Sequence, residues 1–212
     1  MKRLLDGYSR FRKDIFPQAK DRFRLLADRQ QPEFLFITCA DSRVVPDLIF
    51  QTEPGDMFLC RAVGNIIPPH GDLPGGISST IEYAVEVLHV KHIIVCGHSD
   101  CGALKAAIDR SSLSRLPLTA KWLGYIEPAW KYLDPGTPDE PQARHTALIH
   151  ANVIAQLENL KTHPEVARRL ADKTLEVHGW YYDILTGTIE ACDPQQRRFF
   201  PLEDLASGSP DH

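Results

Sequence analysis

His92-Ile93-Ile94-Val95-Cys96 runs directly into Gly97-His98-Ser99-Asp100-Cys101-Gly102. A short apolar run that closes on glycine reads as a strand buried on both faces of a parallel sheet. Residues 103–108 read as the helix that follows. Phe34-Leu35-Phe36-Ile37-Thr38 is a second run of this kind, ended by Cys39-Ala40-Asp41-Ser42-Arg43. Met57-Phe58-Leu59-Cys60 is a third, introduced by the turn signal Glu53-Pro54-Gly55-Asp56. After a Pro- and Gly-rich loop at residues 68–76, Ser79 and Glu82 spell a capping box, and Ile81, Val85 and Leu88 mark a buried helical stripe. Strand, crossover helix, strand and helix in this order specify an α/β fold, a mainly parallel β-sheet flanked by helices.

The flanking regions fit around that centre. Leu4, Tyr8, Phe11 and Ile15 recur at helical spacing, Pro17 interrupts, and Phe23, Leu25 and Leu26 suggest a second helix. Residues 1–30 are therefore expected to form a helical arm packed on its own core, with docking on a partner subunit as the rival reading. Residues 111–141 read as loop-rich around Trp122, Tyr125 and Trp130. Residues 145–160 form a good helix, and Pro164 opens another. Residues 174–178 and 188–192 read as strands flanking a turn at Thr186-Gly187. No linker divides the chain, so residues 1–212 are expected to be a single domain, with 203–212 a flexible tail.

Composition narrows the function classes. The 212 residues include 24 Lys and Arg against 28 Asp and Glu, a formal net charge of −4. Basic residues are scattered, which argues against a nucleic-acid partner. No apolar run approaches the roughly 18 residues of a membrane span. The basic start lacks the apolar core of a secretory signal. Five cysteines, an odd number, suggest thiols or metal ligands in a reducing cytoplasm rather than a disulfide framework.

Ligands of open α/β sheets gather beyond the carboxyl ends of the strands. Two such ends carry metal-type side chains here. His98 and Cys101 are spaced so that a tight turn can aim an imidazole and a thiolate at one ion, and Cys39 can supply a third ligand from a neighbouring strand end. Two thiolates and one imidazole suit zinc, and three protein ligands leave a catalytic position open. Each signal alone is weak; their ordered combination is strong.

Together, Cys39-Ala40-Asp41-Ser42-Arg43 and Gly97-His98-Ser99-Asp100-Cys101-Gly102 resemble the two signatures of the β-class carbonic anhydrases, in the bacterial and plant-like branch. The likeness continues through Glu53-Pro54-Gly55-Asp56, Gly64-Asn65, Glu82-Tyr83-Ala84 and His178-Gly179-Trp180, and covers roughly residues 1–202. It implies Zn2+ on Cys39, His98 and Cys101, and reversible hydration of CO2 to bicarbonate and a proton by zinc-bound hydroxide. Asp41 is then placed to orient that hydroxide, with Arg43 holding it ionised through a bidentate pair. In some members the aspartate swings onto the metal at lower pH, so the pair also implies a gate. By the same resemblance Phe58, Val63 and Tyr83 line an apolar CO2 pocket, Gln30 offers an amide, and the Gly102 N–H meets a bicarbonate oxygen. The family's pocket straddles a dimer interface, which implies a homodimer or larger homo-oligomer.

Some positions depart from the family pattern. Ala62 follows Arg61 where the family usually has Asn, removing a side-chain amide. His70 stands where Tyr is common, and is a candidate proton shuttle. Phe36 replaces the Trp of members with a non-catalytic bicarbonate site, although Arg61 and Tyr182 match that site's other parts. His178 reads as structural, and Cys60, Cys96 and Cys192 as buried. Rival functions are hydrolysis of CS2 or COS on the same scaffold, and a non-catalytic structural zinc or assembly protein, for instance in a carboxysome. Structural zinc wants four closed ligands, and only Asp41 is available as a fourth, so catalysis is the expected role.

Overall fold

In a computed structural model of the chain, residues 1–71 and 75–206 are described. Six strands, β1 (Phe34–Cys39), β2 (Met57–Ala62), β3 (His92–His98), β4 (Glu176–Tyr182), β5 (Ile189–Asp193) and β6 (Arg198–Pro201), form one sheet in the order β2-β1-β3-β4-β5-β6. The first four pair in parallel, and β5 and β6 are antiparallel additions. Helices α1 (Lys2–Arg10) and α2 (Lys20–Leu26) precede the sheet. The others are α3 (Pro46–Phe50), α4 (Gly76–Glu86), α5 (Gly102–Ile108), α6 (Pro117–Trp122), α7 (Pro141–Lys161), α8 (Pro164–Ala171) and α9 (Leu202–Ala206). The α/β architecture with a mainly parallel sheet is the one expected. Among the described residues no helix is long and apolar enough to cross a membrane.

Leu35, Ile37, Ile93 and Val95 point from the central strands into a core closed by α4, α8 and the end of α7. A second core, around Cys39, Cys101 and the first half of α7, is roofed by residues 110–132. Among the described residues the opposite sheet face carries a small cluster of Phe36, Ile94 and Cys96, with Phe50 and Trp180 against it. α7 lies very close to β3 and β4, and two glycines make that approach possible. A Cβ on Gly179 would sit 2.8 Å from Leu157 Cδ1 and 2.9 Å from Val153 Cγ1; one on Gly97 would meet the same valine.

Several elements differ from the sequence expectation. The N-terminal arm is helical but buries no residue: Leu4, Tyr8 and Leu25 are 72%, 63% and 73% exposed. Its Phe11, Phe16 and Phe23 rings cluster with one another instead. α2 is fastened through Arg22 to the Pro54 carbonyl and Asp56. The arm therefore does not pack on its own core. β2 is an edge strand, so it is half-buried rather than covered on both faces. α4 begins at Gly76, three residues before the expected cap, and the Ser79 hydroxyl donates to the Gly75 and Gly76 carbonyls rather than capping. Within the stretch 111–141, expected to be loop-rich, residues up to 132 form short helical segments, because Leu113, Leu123, Ile126 and Ala129 bury at near-helical intervals. β6 was not expected. Of the tail, Leu202–Ala206 is helical, and residues 207–212 lie outside the described residues. Cys192 is half-buried, unlike Cys60 and Cys96.

Because the space above Gly179 is already filled, Gly179→Ala is expected to destabilise the fold by about 1–3 kcal/mol through overpacking. A urea titration checks this, and an unshifted midpoint would refute the close approach of α7.

Candidate metal centre

Register places the centre. β1 and β3 are parallel neighbours with Thr38 opposite Cys96, so Cys39 and His98 leave the sheet at the same end. Beyond His98 the chain turns tightly at Ser99 and Asp100. Asp100 has φ 59°, a left-handed conformation that Asp tolerates better than most side chains. Cys101 follows at the start of α5. The ligand atoms of Cys39, His98 and Cys101 all lie within 4.8 Å of one another. Their residues are 6%, 0% and 1% exposed.

Hydrogen bonding selects the imidazole atom that faces the sulfurs. His98 Nδ1 lies 2.8 Å from the Ser99 carbonyl, which can only accept, so Nδ1 carries the proton. Nε2 is left with a bare lone pair, buried and without a hydrogen-bond partner. Such an orphan costs about 1–3 kcal/mol unless something binds it. Two sulfurs and a bare imidazole nitrogen in reach of one point are a donor set that fits zinc.

The sulfurs are tuned by their neighbours. The Cys39 thiol is held well below its ordinary range, chiefly because Cys101 donates toward it, helped by the adjacent His98 ring and by the main-chain N–H groups of Gly64 and Asp41, against the opposing effect of burial. The Gly64 N–H lies 3.4 Å from Cys39 Sγ. Cys101 is pushed up by that same neighbour and by burial, while the N–H groups of Leu104 and Ala103 at the start of α5 oppose the rise. The three remaining cysteines lie outside this setting, and burial drives each thiol up, Cys60 and Cys192 to about 11 and Cys96 to about 12. Of the five cysteines only Cys39 has its thiolate form favoured.

Around the ligands runs a frame of fixed charge. Arg43 grips Asp41 with both prongs, Nε to Oδ1 at 3.0 Å and Nη2 to Oδ2 at 2.8 Å, and its own N–H adds a third bond to Oδ1 at 2.9 Å. This fork holds the Asp41 carboxyl far below the usual carboxylate range. Asp41 Oδ2 stands 3.9 Å from His98 Nε2. Arg43 also reaches Asp100 Oδ2 at 2.9 Å, and Asp100 is paired with Lys105. One guanidinium thus ties together both loop tips that carry the ligands.

Two further residues brace the frame, and the sequence reading gave neither this role. Arg61 donates to the carbonyls of Cys39, Asp41 and Val44 at 3.2, 2.6 and 2.7 Å, which locks the backbone of the first loop. His145 Nε2 lies 3.0 Å from the Cys101 carbonyl, so that ring nitrogen donates to it from α7. The available signal was polar spacing: His145, Asn152 and Gln156 lie on one side of a helix whose other buried residues are all apolar. Asn152 Nδ2 donates to the Gly64 carbonyl at 3.0 Å, and Gln156 Nε2 to Asn152 Oδ1 at 2.9 Å.

The carbonic anhydrase family model matches residues 34–189. A carbonic anhydrase of Pseudomonas aeruginosa is 48% identical over 204 residues, covering 96% of this chain and 93% of that protein. The solved β-carbonic anhydrase CcaA superposes with a TM-score of 0.91 at 41% identity, covering 95% of this chain and 91% of the other. The chain belongs to the β-class carbonic anhydrases. Its reaction is the reversible hydration of carbon dioxide. One of the tetrameric β-carbonic anhydrases of Sordaria macrospora is also similar, at 31% identity and a TM-score of 0.70, covering 90% of this chain and 92% of that one.

In this carbonic anhydrase two of the remaining candidates adjoin the trio: Gly102 directly follows Cys101, and Val63 precedes Gly64, whose N–H meets Cys39 Sγ. Phe58 and Tyr83 are neighbours, with ring centroids 6.1 Å apart. Gln30 and Tyr83 line one shallow depression of about 630 Å³ with Leu26, Gly55 and Val87. Val63 is exposed, and its carbonyl accepts from Trp122 Nε1 at 2.9 Å. Gly102, the first residue of α5, is exposed. His70 packs its ring edge-on against His163, at 5.7 Å.

His145→Ala removes a donor that holds the Cys101 loop. It is expected to loosen metal binding by about 10–100-fold, the usual effect of losing an outer partner of a ligand. Competition with a chelator measures this; retention equal to the parent protein would discount the His145 brace.

Proposed function

We propose that Cys39, His98 and Cys101 hold zinc, and that Asp41, aimed by Arg43, orients the water that attacks carbon dioxide. The supporting observation is the bare, buried His98 Nε2 between two sulfurs, with an ionised carboxylate oxygen 3.9 Å away. Bound zinc supplies a Lewis acid that lowers the pKa of water from 15.7 to about 7. The protein's own groups do the rest. Asp41 Oδ1 is occupied by the Arg43 main-chain and Nε donors, whereas Oδ2 takes one donor, leaving it a lone pair to accept from a water. Accepting that O–H fixes the oxygen's rotation, so its free lone pair faces an incoming carbon. Rotation of Asp41 onto the metal, the proposed gate, must first break the Arg43 fork.

Phe58, Val63 and Tyr83 offer apolar contact suited to a small linear substrate, Gln30 offers its amide, and the Gly102 N–H is a free donor for a bicarbonate oxygen. Val63 and Tyr83 are 43% and 45% exposed, so we propose that a second copy of the chain completes the pocket. The unpartnered apolar arm, with Leu4, Leu5 and Tyr8 facing outward, supports a homo-oligomer. Five unpaired cysteines fit a cytoplasmic setting.

Stopped-flow CO2 hydration with metal content measured tests the chemistry. Asp41→Asn is expected to keep its zinc and lose roughly 10²-fold or more in kcat/KM, whereas Cys101→Ala loses metal and activity together. Full activity in Asp41→Asn would remove the aspartate from the mechanism. For the assembly, sedimentation of the Leu4→Asp, Leu5→Asp double variant is expected to show smaller particles than the parent chain. An unchanged size would exclude the arm from the interface.

A further inference from the structure

The opposite end of β3 carries a second group of metal-type ligands that CO2 hydration does not use. β3 opens on His92 and closes on His98, which puts the two imidazoles about 20 Å apart at 3.3 Å per residue. Glu176 stands opposite His92 in the parallel register, and His178 stands opposite Ile94. By the two-residue period of a strand, all three side chains share the sparsely covered face of the sheet. His92 Nδ1 lies 3.2 Å from His178 Nε2. Glu176 Oε2 lies 3.6 Å from the first nitrogen and 3.7 Å from the second.

These three atoms form a nearly regular triangle. A point at its centre is about 2.0 Å from each, the length of zinc–imidazole and zinc–carboxylate bonds. A hydrogen bond between the rings accounts for one side of the triangle only. The carboxylate is drawn in to both rings yet is too distant to bond either, and a cation at the centre converts all three approaches into bonds. The rings are also held in place: His92 stacks on Phe34 with centroids 5.5 Å apart, and His178 leans on Trp180 at 6.3 Å. Such preset ligands lose little freedom on binding. Solvent reaches the group, since the side chains of His92, His178 and Glu176 are 28%, 34% and 69% exposed.

We propose that His92, Glu176 and His178 form a second site, for a zinc-class divalent ion, at the amino end of the sheet. Two imidazoles and one carboxylate favour zinc, nickel or copper over magnesium or calcium, which want oxygen ligands. Without thiolates the site is weaker than the Cys-His-Cys centre and exchanges its ion with solution. When filled, it cross-links β3 to β4 at the end of the sheet remote from the reaction, and so stabilises the fold in proportion to free metal.

The test titrates Zn2+ by calorimetry into the full-length enzyme whose catalytic site already holds zinc, with anomalous scattering from crystals soaked in the same ion. One further saturable equivalent is expected, with a peak between the three side chains. Glu176→Gln, a change at an exposed position, is expected to weaken that equivalent by roughly tenfold or more, since loss of a ligand costs at least as much as loss of an outer partner. His92→Gln is expected to abolish it. Absence of a further equivalent, a peak elsewhere, or an affinity unchanged in both variants would overturn the proposal and leave a hydrogen-bonded histidine pair.

Discussion

Parallel pairing of β1 with β3 is the constraint on which the rest of the molecule depends. Parallel neighbours end at the same edge of a sheet, so the chain emerging from each must occupy adjacent space there. Here one end delivers Cys39 and the other His98 and Cys101. α7 packs over β3 and its other neighbour β4, at a distance set by Gly97 and Gly179, and also sends His145 down to the Cys101 carbonyl. The same helix therefore packs the core and steadies the ligand loop.

Electrostatics divide the labour around the centre. The ligand atoms are buried, and His98 Nε2 carries a bare lone pair, a state that folding alone does not favour. Arg43 and Arg61 offset this strain from outside, one by gripping two carboxylates, the other by gathering three carbonyls. A guanidinium suits both tasks because its planar fork presents several donors at fixed angles. The result is a braced rim round the trio. Rigidity there suits the orienting role proposed for Asp41.

Much of this was legible in the residues. The strands β1 and β3 announce themselves as apolar runs, because strands buried on both faces leave no room for polar alternation. The ligand trio and the Asp41–Arg43 pair sit at those strand ends, where local spacing and family likeness agree. Less was legible where tertiary context decides. β2 reads like an inner strand, yet it lies at the sheet edge, and nothing in Met57-Phe58-Leu59-Cys60 distinguishes the two. The arm has the periodicity of a packed helix but no partner surface within its own chain, a fact periodicity cannot report. Arg61 and His145 act through backbone carbonyls, and carbonyl bonding leaves no motif. Residues 110–132 hide their helical turns behind Pro117, Gly124 and Pro128.

X-ray absorption at the zinc edge of the enzyme carrying one equivalent of metal bears most directly on the centre itself. Two sulfur scatterers at about 2.3 Å with the remaining ligands nitrogen or oxygen at about 2.0–2.1 Å is the result this structure requires. A spectrum fitted by light atoms alone would contradict it, and would move the metal away from Cys39 and Cys101.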